Sequence, residues 1–116
     1  MACGTMTHME TRPKCKLWLE TPDGRFVLGE GTSALLRFIR ETGSLSDAAK
    51  ACDISYAHAW KKIRKAEKQL GLTLVDRMRG GTGGGCSSLS EEGASLLDRY
   101  DRLRARLDDV LALSSG

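Results

Sequence analysis

The feature that most constrains this chain is a run of small residues, a three-residue break and a cationic helical pattern at its centre. In Ser44-Leu45-Ser46-Asp47 either serine can cap a short helix of Ala48, Ala49, Lys50, Ala51 and Cys52. An alanine-faced helix lets a neighbouring helix approach closely. Asp53-Ile54-Ser55 then interrupts the helical pattern, with Ile54 as a buried plug and Ser55 as the cap of the next helix. From Tyr56 to Leu70, the residues Ala59, Ile63, Ala66 and Leu70 recur at i, i+4, i+7 and i+11 and form one apolar stripe. His58, Lys61, Lys62, Lys65 and Lys68 lie off that stripe, and Gly71 ends the helix. Two helices joined by so short a turn form a helix-turn-helix over residues 44–70.

Charge is concentrated on the same segment. Residues 55–70 hold Lys61, Lys62, Arg64, Lys65 and Lys68 against Glu67 alone, whereas residues 1–30 and 31–54 are each neutral. Residues 71–89 add one positive charge, and residues 90–116 carry four arginines against six acids. A net charge of +3 is small, but placed on one helix and the loop after it, it suits a phosphate-binding face.

The flanking segments complete one small domain over residues 16–116, mainly α with a little β (α+β). Leu17 to Leu28 reads as a hairpin about Pro22-Asp23-Gly24, where proline presets the turn and glycine can take positive φ. Thr32 or Ser33 can cap a helix whose apolar residues are Leu35, Leu36, Phe38 and Ile39 and whose stop is Gly43. Residues 72–89 read as a second hairpin, a wing, with strands Leu72–Met78 and Cys86–Leu89 around a glycine-rich tip. Ser90 caps a last helix over 90–113, in which Leu96, Tyr100, Leu103, Leu107 and Val110 follow at spacings of four and three, an a/d seam suited to pairing with a second copy. Leu97, Leu111 and Leu113 offer another apolar side for intrachain packing.

An α-helix fits the major groove of DNA, where its outward side chains meet base edges while cations and amides hold phosphates. Ser55, Tyr56 and His58, near the helix start, are the candidates for base contact; Lys61, Lys62 and Lys65 suit phosphates or guanine acceptors. Ser44 and Ser46, at the start of the short helix before it, are further DNA candidates, and on the wing Arg77, Arg79, Gly80, Gly81, Thr82 and Gly83 should reach the backbone or the minor groove. Trp60 lies one residue off the stripe, and packing against the amino-terminal hairpin is weighed above a place at the DNA edge.

No stretch approaches the roughly 18 apolar residues of a membrane span, and residues 1–15 read as a flexible leader without an export signal. Cys3, Cys15, Cys52 and Cys86 are scattered singly, with neither a C-x-x-C pair nor a histidine at metal-ligand spacing, so reduced thiols in the cytoplasm are expected and no metal site is. No recognisable catalytic pattern joins the two histidines to a nucleophile or carboxylate, and no enzyme is expected.

Gly43-Ser44-Leu45-Ser46-Asp47-Ala48-Ala49-Lys50, Ile54-Ser55-Tyr56, Ala59-Trp60, Leu74-Val75-Asp76-Arg77, the Gly80–Gly85 run and Leu89-Ser90-x-x-Gly93 together resemble the amino-terminal DNA-binding domain of the molybdate-responsive ModE-type regulators. The broader LysR-type domain shares the G-S-x-x-x-A-A element, the serine that opens the reading helix and the motif after the wing. The resemblance spans roughly residues 17–113. It implies a winged helix-turn-helix, a homodimer on the last helix, binding to an inverted repeat in double-stranded DNA, and transcriptional control. The sensing modules of such regulators lie carboxy-terminal to the shared region, and this sequence stops at Gly116. No cofactor is expected: molybdate is implied by the resemblance alone, and a small-molecule effector stays unknown. The alternative is an interaction adaptor that uses the same basic helix to bind a protein.

Overall fold

A computed structural model describes residues 10–78 and 86–115. The element order is β1 (Leu19–Glu20), β2 (Phe26–Leu28), α1 (Glu30–Thr42), α2 (Leu45–Ala51), α3 (Tyr56–Leu70), β3 (Val75–Met78), β4 (Cys86–Leu89) and α4 (Glu91–Ser115). β1 pairs antiparallel with β2, and β3 with β4, as two separate two-stranded sheets. The expected α+β winged helix is thus present, with shorter first strands in each hairpin.

Local chemistry places most boundaries. Gly43 and Gly71 end α1 and α3 in the left-handed region, at φ 71 and φ 69, where a residue without Cβ carries no steric penalty. Ser44 accepts the Asp47 N–H at 3.1 Å and Ser55 accepts the His58 N–H at 3.0 Å, so each serine satisfies an orphan donor of the helix it opens. The start of α1 differs from expectation: the helix begins at Glu30 behind Gly29, with no side-chain cap, and Thr32 and Ser33 are buried inside its first turns. The Ser33 hydroxyl donates back to the Glu30 carbonyl at 3.0 Å instead of capping.

The core gathers one stripe from each helix. Leu35, Leu36 and Ile39 of α1, Ala48 and Ala49 of α2, and Ala59, Ile63 and Ala66 of α3 are buried with Leu28, Leu74, Leu97 and Tyr100. The alanines of α2 and α3 are part of this core, and α2 packs on both α1 and α3. Ser87 of β4 donates its N–H to the Gly43 carbonyl at 2.8 Å, which ties the wing to the α1–α2 corner.

Two sequence expectations shift here. Tyr100, placed on the pairing seam by its spacing, is 2% exposed and donates its hydroxyl to the Leu17 carbonyl at 3.1 Å. Burial pushes its phenol up from the ordinary value, so it acts as a neutral donor. The leader boundary at residue 15 also moves, because the Cys15 carbonyl accepts from Arg104 Nη1 of α4 at 2.9 Å.

Candidate nucleic-acid interface

α3 is the element that can read a groove. Its stripe of Ala59, Ile63 and Ala66 faces the core, which turns the opposite side of the helix outward. His58, Lys61, Lys65 and Lys68 are exposed on that side, and among the described residues none of the α3 lysines forms an ion pair. Ala57, next to them, presents only a methyl group, so the start of the helix can approach another surface closely.

Other expected site residues are placed less simply. Ser55 and Ser44 spend their hydroxyls as acceptors of helix amides, while Ser46 is exposed at the start of α2. Lys62 is only half-exposed and lies on the flank of α3 toward the amino-terminal hairpin, lining the clefts beside Phe26 and Thr32. Arg79, Gly80, Gly81, Thr82 and Gly83 lie outside the described residues.

On its other flank α3 is joined to the wing by a cluster that sequence reasoning treated as separate residues. The Tyr56 hydroxyl accepts from Trp60 Nε1 at 3.1 Å and from Arg77 Nη2 at 2.9 Å. The guanidinium groups of Arg77 and Arg64 lie 4.9 and 5.2 Å from the centre of the Trp60 ring, inside cation–π range. Trp60 therefore packs toward the wing and not against the amino-terminal hairpin. Arg77 is held by a hydroxyl and an aromatic face, with no carboxylate paired to it among the described residues, so its charge remains available to an anion.

Glu67 was missed as a structural residue. Its Oε2 accepts the N–H groups of Leu74 and Val75 at 2.8 and 3.2 Å, which clamps the end of α3 to the first residues of the wing. The available signal was its status as the one acid in a helix of cations. At the far side of the wing, the Ser90 N–H donates to the Leu74 carbonyl at 2.9 Å, and the Ser90 hydroxyl donates to the Thr73 carbonyl at 2.5 Å and accepts the Gly93 N–H at 2.9 Å. A Cβ on Gly93 would meet the Leu74 carbonyl oxygen at 2.2 Å, so the L-S-x-x-G motif is a backbone-to-backbone contact that only glycine permits.

A short helix, a four-residue turn over residues 52–55, an outward cationic helix and a paired hairpin after it define a winged helix-turn-helix domain. Residues 34–94 match the family described as "Bacterial regulatory helix-turn-helix protein, lysR family", and the chain belongs to that family. It is 43% identical over 70 residues to the transcriptional regulator ModE of Yersinia pestis, covering 60% of this chain and 27% of that one. It is 40% identical over 82 residues to the DNA-binding transcriptional dual regulator ModE of Escherichia coli, covering 68% and 31%. The chain thus spans under a third of the length of these relatives. ArgP from Mycobacterium tuberculosis shares the fold, with a TM-score of 0.58 and 22% identity over 73% of this chain and 30% of that one. No helix among the described residues is long and apolar enough to cross a membrane.

Proposed function

We propose that this domain binds double-stranded DNA in the cytoplasm as a homodimer and regulates transcription from an inverted-repeat site. The observation that carries the reading is the outer face of α3, where His58, Lys61, Lys65 and Lys68 stand exposed and without ion-pair partners among the described residues. Under this reading α3 enters the major groove, Lys61, Lys65 and Lys68 neutralise phosphates or meet guanine acceptors, and His58 and Tyr56 sit nearest the bases. Arg77, steadied by Tyr56 and Trp60, takes a phosphate beside the groove. Ser55 positions the helix as its cap.

Pairing is assigned to the distal part of α4. Val110 and Leu113 are 56% and 84% exposed there, while Leu103 and Leu107 are half-buried. Two reading helices related by that pairing would meet successive major grooves about 34 Å apart. No catalytic step is proposed for this chain, and sensing of molybdate or any other effector is not assigned to it.

The test is selection of bound sequences from random DNA with the purified chain, followed by binding across a salt series. A symmetric site is expected, with affinity falling steeply as salt rises because each neutralised phosphate releases counterions. Lys61→Ala or Lys65→Ala should weaken all sequences and lower the salt slope by about one each, whereas His58→Ala should relax base preference. An adaptor that binds protein would give no enriched sequence.

A further inference from the structure

A helix about 10–12 Å across fills a DNA major groove about 12 Å wide, so both flanks of a reading helix meet a backbone strand. On one flank of α3 stand Trp60 and, across from it on the wing, Arg77. Lys62, two residues after Trp60, is about 200° further round the helix and faces the other way. On that side a cleft of about 580 Å³ lies between α3 and the amino-terminal hairpin, and the wing cluster takes no part in it.

The cleft has a cationic wall and an aromatic rim. His58, Lys61, Lys62 and Lys65 line it from α3, and among the described residues no carboxylate does. Val27 and Thr32, both buried, line it from β2 and the start of α1. Phe26 stands beside them 43% exposed, although the next two residues, Val27 and Leu28, are in the core. Those buried neighbours fix the strand, so the ring is carried at the cleft on a rigid backbone. A Cβ on Gly29 would lie 3.4 Å from the Phe26 ring and 3.6 Å from the Trp18 Cβ, which puts a second exposed aromatic residue next to the first. Of the hairpin's two acids, Asp23 pairs with Arg25 at 3.2 Å and Glu20 accepts from Trp18 Nε1 at 2.9 Å, and neither lines the cleft.

A cationic wall beside an aromatic rim suits a polyanion that carries apolar faces between its charges. A DNA strand has that pattern, because the C–H faces of deoxyribose alternate with its phosphates. We propose that the cleft holds the strand bordering the major groove on the side away from the wing, with phosphates on Lys62 and Lys65 and a sugar against the Phe26 ring. The amino-terminal hairpin is then a second clamp, opposite the wing. This assignment rests on the DNA-binding reading given above and adds a contact surface to it.

The test is hydroxyl-radical footprinting of the full chain on its selected DNA site, together with binding across a salt series. Hydroxyl radicals cut at exposed deoxyribose, so protection reports covered sugars strand by strand. The parent should protect both strands that wall the groove in each half-site. Phe26→Ser should lose protection on the strand away from the wing alone and bind about tenfold more weakly, with the salt slope unchanged. Lys62→Gln keeps the apolar contacts and should lower the slope by about one. Arg77→Ala should lose protection on the wing side instead. If the melting temperature of Phe26→Ser falls, Lys62→Gln decides the matter, since it alters a half-exposed side chain outside the core. Protection of the wing-side strand alone in the parent, a salt slope kept by Lys62→Gln, or a footprint kept by a folded Phe26→Ser would overturn the clamp while leaving DNA binding by α3 in place. A chain that leaves no footprint would overturn the DNA-binding reading and the clamp together.

Discussion

Asp53 is the one described residue other than glycine with positive φ, at 58°, and it sits in the turn that sets the angle between α2 and α3. Its N–H donates to the Lys50 carbonyl and the next N–H, of Ile54, to the Ala49 carbonyl, both at 3.0 Å, so the left-handed step closes the end of α2. Aspartate tolerates this region better than most residues, and a β-branched side chain does not. Asp53→Val should therefore lose about 1–2 kcal/mol of stability, whereas Asp53→Gly should be neutral or gain up to about 1, compared by urea denaturation. Equal losses from both would mean that the carboxylate matters and the backbone angle does not. At Tyr56 the chemistry is about orientation. Tyr56→Phe keeps every charge but removes the acceptor shared by Trp60 and Arg77. We expect it to weaken DNA binding several-fold, about 1 kcal/mol for a lost hydrogen bond, with the salt slope unchanged, while Arg77→Ala lowers the slope by about one. Fluorescence anisotropy at several salt concentrations reads both quantities.

At the scale of elements, the wing is fastened at three points: Glu67 to the amides of Leu74 and Val75, Ser87 to Gly43, and Ser90 with Gly93 to the chain at Thr73 and Leu74. Gly93 gives the sharpest test. Glycine within a helix is ordinarily improved by alanine by about 1 kcal/mol. Here the added methyl group would be driven into the Leu74 carbonyl oxygen, so Gly93→Ala should cost about 1–3 kcal/mol, as overpacking does, and lower the melting temperature. A stabilised Gly93→Ala would mean that α4 does not press on the backbone at Leu74 as described. Which of these elements could be read from the sequence follows from range. The cap of α2 was narrowed to Ser44 or Ser46, while the cap Ser55, the stops Gly43 and Gly71 and the stripe of α3 act within four residues of themselves, and each was legible. The start of α1 was not, because threonine and serine after two glycines signal a cap and nothing local says that both are buried. Glu67 on the wing, Tyr56 with Arg77, and Tyr100 on Leu17 join positions 7, 21 and 83 residues apart, and no periodicity carries that information.

The whole molecule measures 67 × 34 × 20 Å, and its radius of gyration of 18.1 Å exceeds the ~13 Å of a compact domain near this size. α4 supplies much of the length, since 25 helical residues extend about 37 Å. Its first turns are anchored: Leu97 and Tyr100 are buried, and Asp98 and Asp101 pair with Arg40 and Arg37 of α1 at 2.9 and 2.5 Å. Those ion pairs are partly exposed and add little beyond orientation. Further along, the fully exposed side of the helix still presents Val110 and Leu113 to solvent. Apolar residues already exposed in the single chain contribute little to its folding, so a polar replacement there tests association separately from stability. The double variant Val110→Asp with Leu113→Asp should keep the parent melting temperature when measured dilute, yet sediment as a monomer where the parent sediments as a dimer. On a symmetric DNA site its affinity should fall by about 100-fold, because the second half-site is then no longer engaged at high effective concentration. On a single half-site the loss should be small, since α3 and Arg77 are unchanged. Parent and variant that sediment alike as monomers, or a variant that loses the half-site as severely as the full site, would remove α4 from the pairing role and leave the exposed valine and leucine for some other surface.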